Sequence, residues 1–584
     1  MTTPLVVRVL PDVAGLDGKQ FDYLVPEILR DQVRVGSIVR IVLAGRRVRA
    51  WVTAVDVPPP DGVQLRPIAK VTGWGPPAEV VSLAEWAAWR WAGRVVHVLD
   101  SASPPGAVAA RPERGTSAAA ARLTIDARVK AALDAGGVTV VRLAPAADEL
   151  PLVAAAVARG DSLVLQPTVD GASAVGRRLR RAGVDCLLAP RDWALAAAGG
   201  RTALGARAAV WAPVPALAAV VVLDEHDESY QEERMPTWHA RDVAVERARR
   251  AGVPCLLVSP CPSLEALSVA DRVIAPSTAE ERAGWALADV IDRREESVTT
   301  AGLYSPALVR RLRDREAGRA VCVLNRLGRS QLLACGTCGQ VARCEVCGSA
   351  VRQLGDTAEL TCLRCGTTRP RICAACGSTQ LRNVRAGVRR VREELEALVG
   401  EPVGEVAAAE SVLPDARVVV GTEAVLRRWR GPVGTVAFLE LDQELLAPRY
   451  RAAEEALGLV AMASRLVGGR ETGGRILLQT RQPDHVVVQA VLHADPARVA
   501  VHERQQREVL DFPPFGALAS ISGAAAPEFV AALGEHLGSD TALDGPADGH
   551  WLLHAPTSTQ LADALAATPR PSGRLRIEVD PLRV

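Results

Sequence analysis

The sequence is short of lysine, with three in 584 residues, of long apolar runs, and of histidine in the one segment where cysteine is crowded. Arginine therefore supplies almost all the positive charge, which together with abundant Ala, Val and Leu reads as nucleotide-composition bias and says little about function. No run of about eighteen uninterrupted apolar residues occurs, and ALAAVVVL is broken at once by Asp224, so no membrane span is expected. The opening MTTPLVVRVLP has no charged start followed by an apolar run, so nothing marks the chain for export. A net charge of +2 and a pI near 8.0 exclude a global basic field, and any nucleic-acid surface must be a local patch. The length is too great for one core and implies roughly three to five domains of ordinary globular composition.

Eight of the twelve cysteines lie between Cys335 and Cys376 as four CxxC pairs, Cys335/Cys338, Cys344/Cys347, Cys362/Cys365 and Cys373/Cys376, each followed by glycine. Two cysteines two residues apart can aim both thiolates at one tetrahedral ion, and the glycine lets the knuckle turn with its backbone close to sulfur. Four such knuckles supply ligands for two Zn²⁺ per chain, whereas a disulfide framework would need the export that nothing here marks. Fourteen residues separate the Cys344/Cys347 and Cys362/Cys365 pairs, close to zinc-ribbon spacing, which suggests an inner site with Cys335, Cys338, Cys373 and Cys376 as the outer one. Zn–thiolate bonds rather than apolar burial would hold this segment together. With no histidine between Cys335 and Cys376, the expected role is structural, because a catalytic zinc keeps a water position and usually has His or carboxylate ligands. Cys186, Cys255, Cys261 and Cys322 sit singly in apolar runs and read as buried free thiols.

The order of patterns along the chain predicts a multidomain α/β protein. Residues 1–73 are β-rich, with LVVRVLP, FDYLVP, SIVRIVLAG and RAWVTAV separated by Gly, Pro and charged turns. Residues 74–117 hold a helical module, AEVVSLAEWAAWRWAG, and a linker rich in Pro, Gly and charge. Over 118–285, near-continuous apolar runs such as VTVVRL, SLVLQP and AVVVLDEHD alternate with helical stretches, the mark of a parallel α/β lobe. A second lobe starts over 286–331, is interrupted by the cysteine insertion at 332–382 and resumes over 383–485. Residues 486–584 read as an α+β C-terminal domain.

Phe21-Asp22-Tyr23, LDEHDESYQ with HARDVAVERA, PCPSLEAL, LNRLG, the cysteine array, QTRQPDH and FPPFG follow one another in an order that resembles the primosomal replication-restart PriA family, over nearly the whole chain. That family carries FDY, DEEHDSSYKQ and ATPSLES at the corresponding points. The resemblance implies two RecA-like helicase lobes, a winged-helix-like module within 74–117, a double-zinc insertion, and an N-terminal pocket for the 3′ end of a nascent strand. Phe21, Asp22 and Tyr23 become candidate DNA contacts, since aromatics flanking an acceptor suit an unpaired terminal nucleotide, and Arg66 becomes the pocket's basic partner. It also implies fork or branched DNA, a single-strand binding protein, other primosome components and the replicative helicase as partners, in a cytoplasmic, nucleoid-associated setting.

The departures bear on mechanism. A nucleotide-hydrolysing lobe needs GxxxxGK[ST], because glycine N–H groups cradle phosphates and Lys neutralises them. Here the loop reads LAPAADELPL, with Asp148 and Glu149 about where the family's Gly and Lys would stand. Two carboxylates facing a triphosphate repel it by several kcal/mol per close pair at an effective dielectric of about 20. Aligned through His226 and Asp227, the family's DEEH becomes Leu223-Asp224-Glu225-His226, so leucine replaces the Mg²⁺ anchor. AMASRLVGG keeps Arg465 without a second arginine at the usual spacing, and GTEAVLRRWRG replaces GTQMIAKGHHF. ATP and Mg²⁺ are therefore not expected, no catalytic residue is named, and Asp224, Glu225 and His226 read as fold remnants making caps and internal hydrogen bonds. Arginines 427, 428 and 430, Arg427, Arg428 and Arg430, are the favoured phosphate contacts among three clusters, the others being Arg177/Arg178/Arg180/Arg181 and Arg310/Arg311/Arg313. The expected function is a non-catalytic scaffold at stalled forks, with an ATP-dependent 3′→5′ helicase and a zinc-ribbon protein adaptor as alternatives.

Overall fold

A computed structural model describes residues 4–583 apart from 17, 61, 117–122, 297–301, 325–332, 354–358, 363, 384–387, 407–412 and 548. The LNRLG motif beyond Leu324 and the expected junctions at 117/118 and 331/332 lie outside the described residues.

Strands Val6–Pro11 (β1), Phe21–Leu24 (β2), Ile38–Leu43 (β3), Arg46–Val55 (β4) and Lys70–Gly73 (β5) form an antiparallel sheet of order β2-β1-β4-β3-β5. Side chains alternate across a strand, so Val7, Val9, Val39 and Ile41 share one face and build a core with Tyr23 and Ile68. Leu10 and Trp51 leave the other face and pack under helices Ala78–Arg90 and Val95–Ala102, where the Trp51 indole donates to Ser103 Oγ at 2.9 Å. Between 74 and 116 the described residues form those two helices and no strand, whereas a winged helix needs a β-hairpin. Val80, Leu83, Ala87 and Trp91 instead join a core shared with the first lobe and the C-terminal sheet.

The first lobe is a seven-stranded parallel sheet of Val138–Arg142 (β6), Ser162–Leu165 (β7), Cys186–Leu188 (β8), Thr202–Gly205 (β9), Ala219–Leu223 (β10), Cys255–Ser259 (β11) and Arg272–Ile274 (β12), in the order β12-β6-β11-β10-β7-β9-β8. Helices cover both faces, which is why β7, β10 and β11 are apolar at nearly every position. The second lobe opens with Leu287–Asp292 (β13) and Ala320–Val323 (β14). The cysteine segment follows as two small antiparallel sheets, Leu333–Cys335 (β15) with Leu381–Asn383 (β19), and Val351–Arg352 (β16), Glu359–Cys362 (β17) and Thr368–Pro370 (β18). Val403–Val406 (β20), Val418–Gly421 (β21), Thr435–Phe438 (β22) and Arg475–Thr480 (β23) then complete a parallel sheet of order β13-β23-β22-β14-β21-β20. The cysteine module is thus looped out beyond a central strand of lobe two.

The expected C-terminal domain begins at residue 486, but helices Val486–His493 and Ala497–Val509 bury Val487, Val488, Val491 and Val499 in the core of lobe two. The α+β unit proper is the sheet of Ala517–Ser522 (β24), Ala542–Ala547 (β25), His550–Ala555 (β26) and Arg576–Val579 (β27), order β25-β26-β24-β27, with its own two helices. The difference arises because a run of valines at helical spacing states burial without stating against which sheet.

Candidate functional site

The cysteine module brings together Cys335, Cys338, Cys373 and Cys376 in one cluster and Cys344, Cys347, Cys362 and Cys365 in the other, with the four Sγ atoms of each within 4.8 Å of one another. Each knuckle is closed by an amide of the following glycine donating to the first cysteine's carbonyl, Gly339 to Cys335 at 3.0 Å, Gly348 to Cys344 at 3.0 Å, Gly366 to Cys362 at 2.9 Å and Gly377 to Cys373 at 2.8 Å. All four glycines have φ between 73° and 75°, which a side chain would strain. Sulfurs of paired knuckles stand 3.4–3.6 Å apart, far from the roughly 2.05 Å of a disulfide and near the ~3.8 Å edge of a tetrahedron with ~2.3 Å metal–sulfur bonds. The residues present therefore fit two metal ions. The hydrogen bond from Cys362 lowers the Cys347 thiol against its burial, helped by the Ser349 amide, and the same contact raises Cys362. The module docks on lobe two through the Ala350 amide, which donates to the Leu446 carbonyl at 2.7 Å, and through Arg364 beside Glu503 at 3.6 Å.

At the other end of the chain, Phe21, Asp22 and Tyr23 lie on the edge strand β2, and Arg66 runs beside them, its carbonyl accepting the Leu24 amide at 2.9 Å. The three side chains have different fates. Tyr23 is 5% exposed and its hydroxyl donates to the Val42 carbonyl at 2.9 Å, so it belongs to the core. Phe21 is half-buried against the same core, while Arg66 is exposed. Asp22 accepts from Arg8 Nε at 2.8 Å and Nη2 at 3.2 Å. Arg8, which sequence reasoning missed, faces Asp22 because β1 and β2 pair in that register. No local motif marks it.

The third region is a cleft of about 510 Å³ between the lobes, at the carboxyl ends of β6 and β10, where α/β sheets bind ligands. Four amides of the loop after β6 donate within the protein. The Leu143 amide donates to Ser259 O at 3.0 Å, Ala146 to Gly284 O at 3.0 Å, Ala147 to Ala144 O at 2.9 Å and Leu150 to Asp148 Oδ1 at 2.9 Å. Arg178 binds the two acids of that loop, Asp148 at 2.6 Å and Glu149 at 3.4 Å. Burial would raise the Asp148 carboxyl, but Arg178 and the Leu150 amide hold it below the ordinary range. Leu223 is 2% exposed and packed in lobe one's core, its side chain offers no oxygen to a cation, and its carbonyl accepts from the Tyr230 hydroxyl at 2.7 Å.

The residues after β10 are all engaged. Asp224 takes φ of 49° and accepts both guanidinium nitrogens of Arg465, at 2.6 and 2.8 Å, while Arg465 Nε donates to Pro145 O at 3.1 Å. One lobe-two arginine thus spans the carboxylate and the loop where a phosphate would sit. Burial pushes the Asp224 carboxyl up and Arg465 more than reverses it. Glu225 is fully buried and accepts from the Ser263 amide and hydroxyl, both at 2.8 Å. His226 Nδ1 meets Ser259 Oγ at 2.8 Å, and Asp227 pairs with Arg427 across the cleft. Farther along the same lobe boundary, Arg451 meets Glu265 at 2.8 Å and Glu454 accepts the Leu264 amide at 2.9 Å.

The arginine clusters divide by this geometry. Arg427 is taken up by Asp227, Arg430 donates to the carbonyls of Arg427 at 2.6 Å and Trp429 at 2.9 Å, and Arg428 ends the short helix Ala424–Arg428. Arg180 donates to Cys186 O at 3.4 Å, Arg311 to Thr435 Oγ1 at 3.0 Å and Arg313 to Leu398 O at 2.7 Å. Four described cysteines outside the module, Cys186, Cys255, Cys261 and Cys322, are buried free thiols.

Comparison with known proteins places these features in context. A family model described as "3'DNA-binding domain (3'BD)" matches residues 8–104, and so takes in both the five-stranded sheet and the two helices that follow it. Probable replication restart protein PriA of Mycobacterium tuberculosis is 30% identical over 561 residues, covering 87% of this chain and 85% of that protein. Replication restart protein PriA of Bacillus subtilis is 28% identical over 379 residues, 59% of this chain and 47% of that one. The chain spans about half the length of the first of these curated relatives it matches. Among solved structures, S. cerevisiae Dbp5 bound to RNA and ADP BeF3 superposes with a TM-score of 0.37 at 10% identity, over 68% of this chain and 94% of that one.

Proposed function

The chain belongs to the PriA family of replication restart proteins, and from that premise we propose that it binds stalled or branched forks bearing a free 3′ end and promotes reloading of the replication machinery without an ATP-driven motor. The observation that carries the reading is Arg465 seated on Asp224 and Pro145 O, in a cleft where the amides of Leu143, Ala146, Ala147 and Leu150 donate to protein oxygens. A nucleotide would have to break a bidentate ion pair, displace Arg178 from two carboxylates and then face those carboxylates itself. Nothing at Leu223 would hold its Mg²⁺. The lobes are instead tied by side chains of the protein, and act as a fixed clamp on the fork.

In this reading β2 receives the strand end: half-buried Phe21 offers an aromatic ring for stacking, Asp22 an acceptor for the terminal 3′ hydroxyl, and Arg66 a cation for the neighbouring phosphate. Arg8 orients the Asp22 carboxylate through two hydrogen bonds. Tyr23 supports the strand from inside. The two cysteine clusters hold structural zinc, the ion that four thiolates at tetrahedral spacing favour. Arg430, which lines the cleft, contacts phosphates there, with Arg428 beside it in sequence. A single-strand binding protein, other primosome components and the replicative helicase are the partners that take over the fork.

The test is ATP hydrolysis stimulated by a fork, run beside binding of that fork with zinc-loaded protein. Tight binding without hydrolysis is expected. Hydrolysis abolished by Glu149→Ala or Asp224→Ala would overturn the reading in favour of a 3′→5′ helicase, and absence of fork binding would favour a zinc-ribbon protein adaptor.

A further inference from the structure

Residues 33–55 contain five arginines and no aspartate or glutamate, in a chain whose charges sum to only +2. The fold turns that local excess into a row. In the antiparallel register of β3, β4 and β5, Arg40 stands directly opposite Arg49 on one side and Lys70 on the other. Arg47, two residues from Arg49, points to the same face because side chains repeat every second residue. Val39, Ile41 and Val71 occupy the opposite, core-packed face, so the register cannot slip without burying these charges.

Like charges placed directly across a sheet repel, which makes an unneutralised row a cost to the fold. One member is relieved: Arg49 donates to Asp100 at 2.7 Å and lies over the Trp51 ring at 4.4 Å. Arg40, Arg47 and Lys70 are exposed and have no carboxylate partner among the described residues. We propose that this face of β3, β4 and β5 is a second DNA-contact surface of the N-terminal domain, holding the phosphate backbone of a duplex arm. The proposal rests on the reading that the chain binds DNA.

Three features of the face select a duplex backbone. It is strand-built, and Lys70, Arg40 and Arg49 span two strand spacings, about 10 Å, which projects onto roughly three successive phosphates of one strand. Its aromatic ring, Trp51, is fully buried under the helices, so no platform for stacked single-stranded bases is offered. And it lies toward the opposite edge of the sheet from β2, three strand spacings or about 14 Å from Asp22 to Arg40, so a strand end at β2 and a duplex on β3–β5 do not compete for one place.

The experiment compares wild type with the Arg40→Ala/Arg47→Ala/Lys70→Ala variant, binding a fork with a free 3′ end, the same fork with a 3′-phosphate block, and a single strand alone. Loss of three phosphate contacts should lower the slope of log affinity against log salt by about 2.7 and weaken fork binding on the order of 100-fold at 0.15 M salt. The preference for the free over the blocked end should not change. Arg40→Lys/Arg47→Lys with Lys70→Arg should restore the slope. All three residues are exposed, and an unchanged melting temperature checks that the variant folds. An unchanged slope and affinity would overturn the proposal, and so would an equal loss on the single strand. A wild-type chain that binds no fork would instead refute the function from which the proposal starts.

Discussion

Replacing Asp224 by alanine should open the cleft between the lobes, and the size of the effect follows from how the pair is held. Arg465 gives two parallel hydrogen bonds to Asp224, the strong form of an ion pair, but its side chain is 44% exposed against 16% for Asp224. An exposed pair contributes about 0–1 kcal/mol and breaking a buried one costs about 3–5. With one partner solvated, an intermediate 1–3 kcal/mol is expected, equal to roughly 5- to 150-fold in the ratio of closed to open clefts. Alanine also leaves Arg465 only the Pro145 carbonyl. The assay is energy transfer between fluorophores on exposed positions of the two lobes, titrated with salt, for wild type, Asp224→Ala, Arg465→Ala and the double variant. The singles should lengthen the mean distance, the double should add little to either, and the wild-type closure should weaken with ionic strength. Singles that leave the distance unchanged, or a double variant whose effect is the plain sum, would refute the idea that this pair closes the cleft.

Removing zinc with a chelator should unfold the cysteine module while leaving the parallel sheets intact, and metal analysis should find two Zn²⁺ per chain before treatment; retention should fall as pH falls, because protons compete for the thiolates. Asp22→Ala should abolish any preference for a free 3′ hydroxyl, whereas Tyr23→Phe, which removes only the hydrogen bond to Val42 O, should cost about 0.5–1.5 kcal/mol in denaturant stability and leave end binding unchanged. Glu440 is raised to about 7 by burial and by the neighbouring Asp442. The native state thus binds this proton more tightly than the unfolded chain, so stability should fall as pH rises from about 4.5 to 7, and Glu440→Gln should flatten that part of the curve in urea titrations.

How far the sequence carried depends on the kind of signal each feature leaves. The four CxxC knuckles are local, and their spacing contains the information for two tetrahedral clusters; the structure adds the closing glycine amides. Valine-rich strands alternating with helices announce parallel lobes without help, because burial on both faces leaves a continuous apolar run. By contrast, Val487, Val488 and Val491 show an apolar helix face but not that lobe two is what covers it. The two helices after β5 carry tryptophans that could as well have served a winged helix, but no strand accompanies them among the described residues 74–116.

Long-range pairing of charges was decided by the tertiary structure alone. No local pattern specifies a partner for Asp22, Asp224 or Arg427, since Arg8, Arg465 and Asp227 lie 14, 241 and 200 residues away. Nor does a row of arginines become a surface until the register sets Arg40 between Arg49 and Lys70. What the sequence determined by itself was chemistry held within a few residues: the cysteine knuckles, and the continuous apolar runs of strands buried on both faces. Which charges meet is a property of the folded chain, because an ion pair is specified by distance in space, and backbone periodicity carries no record of it.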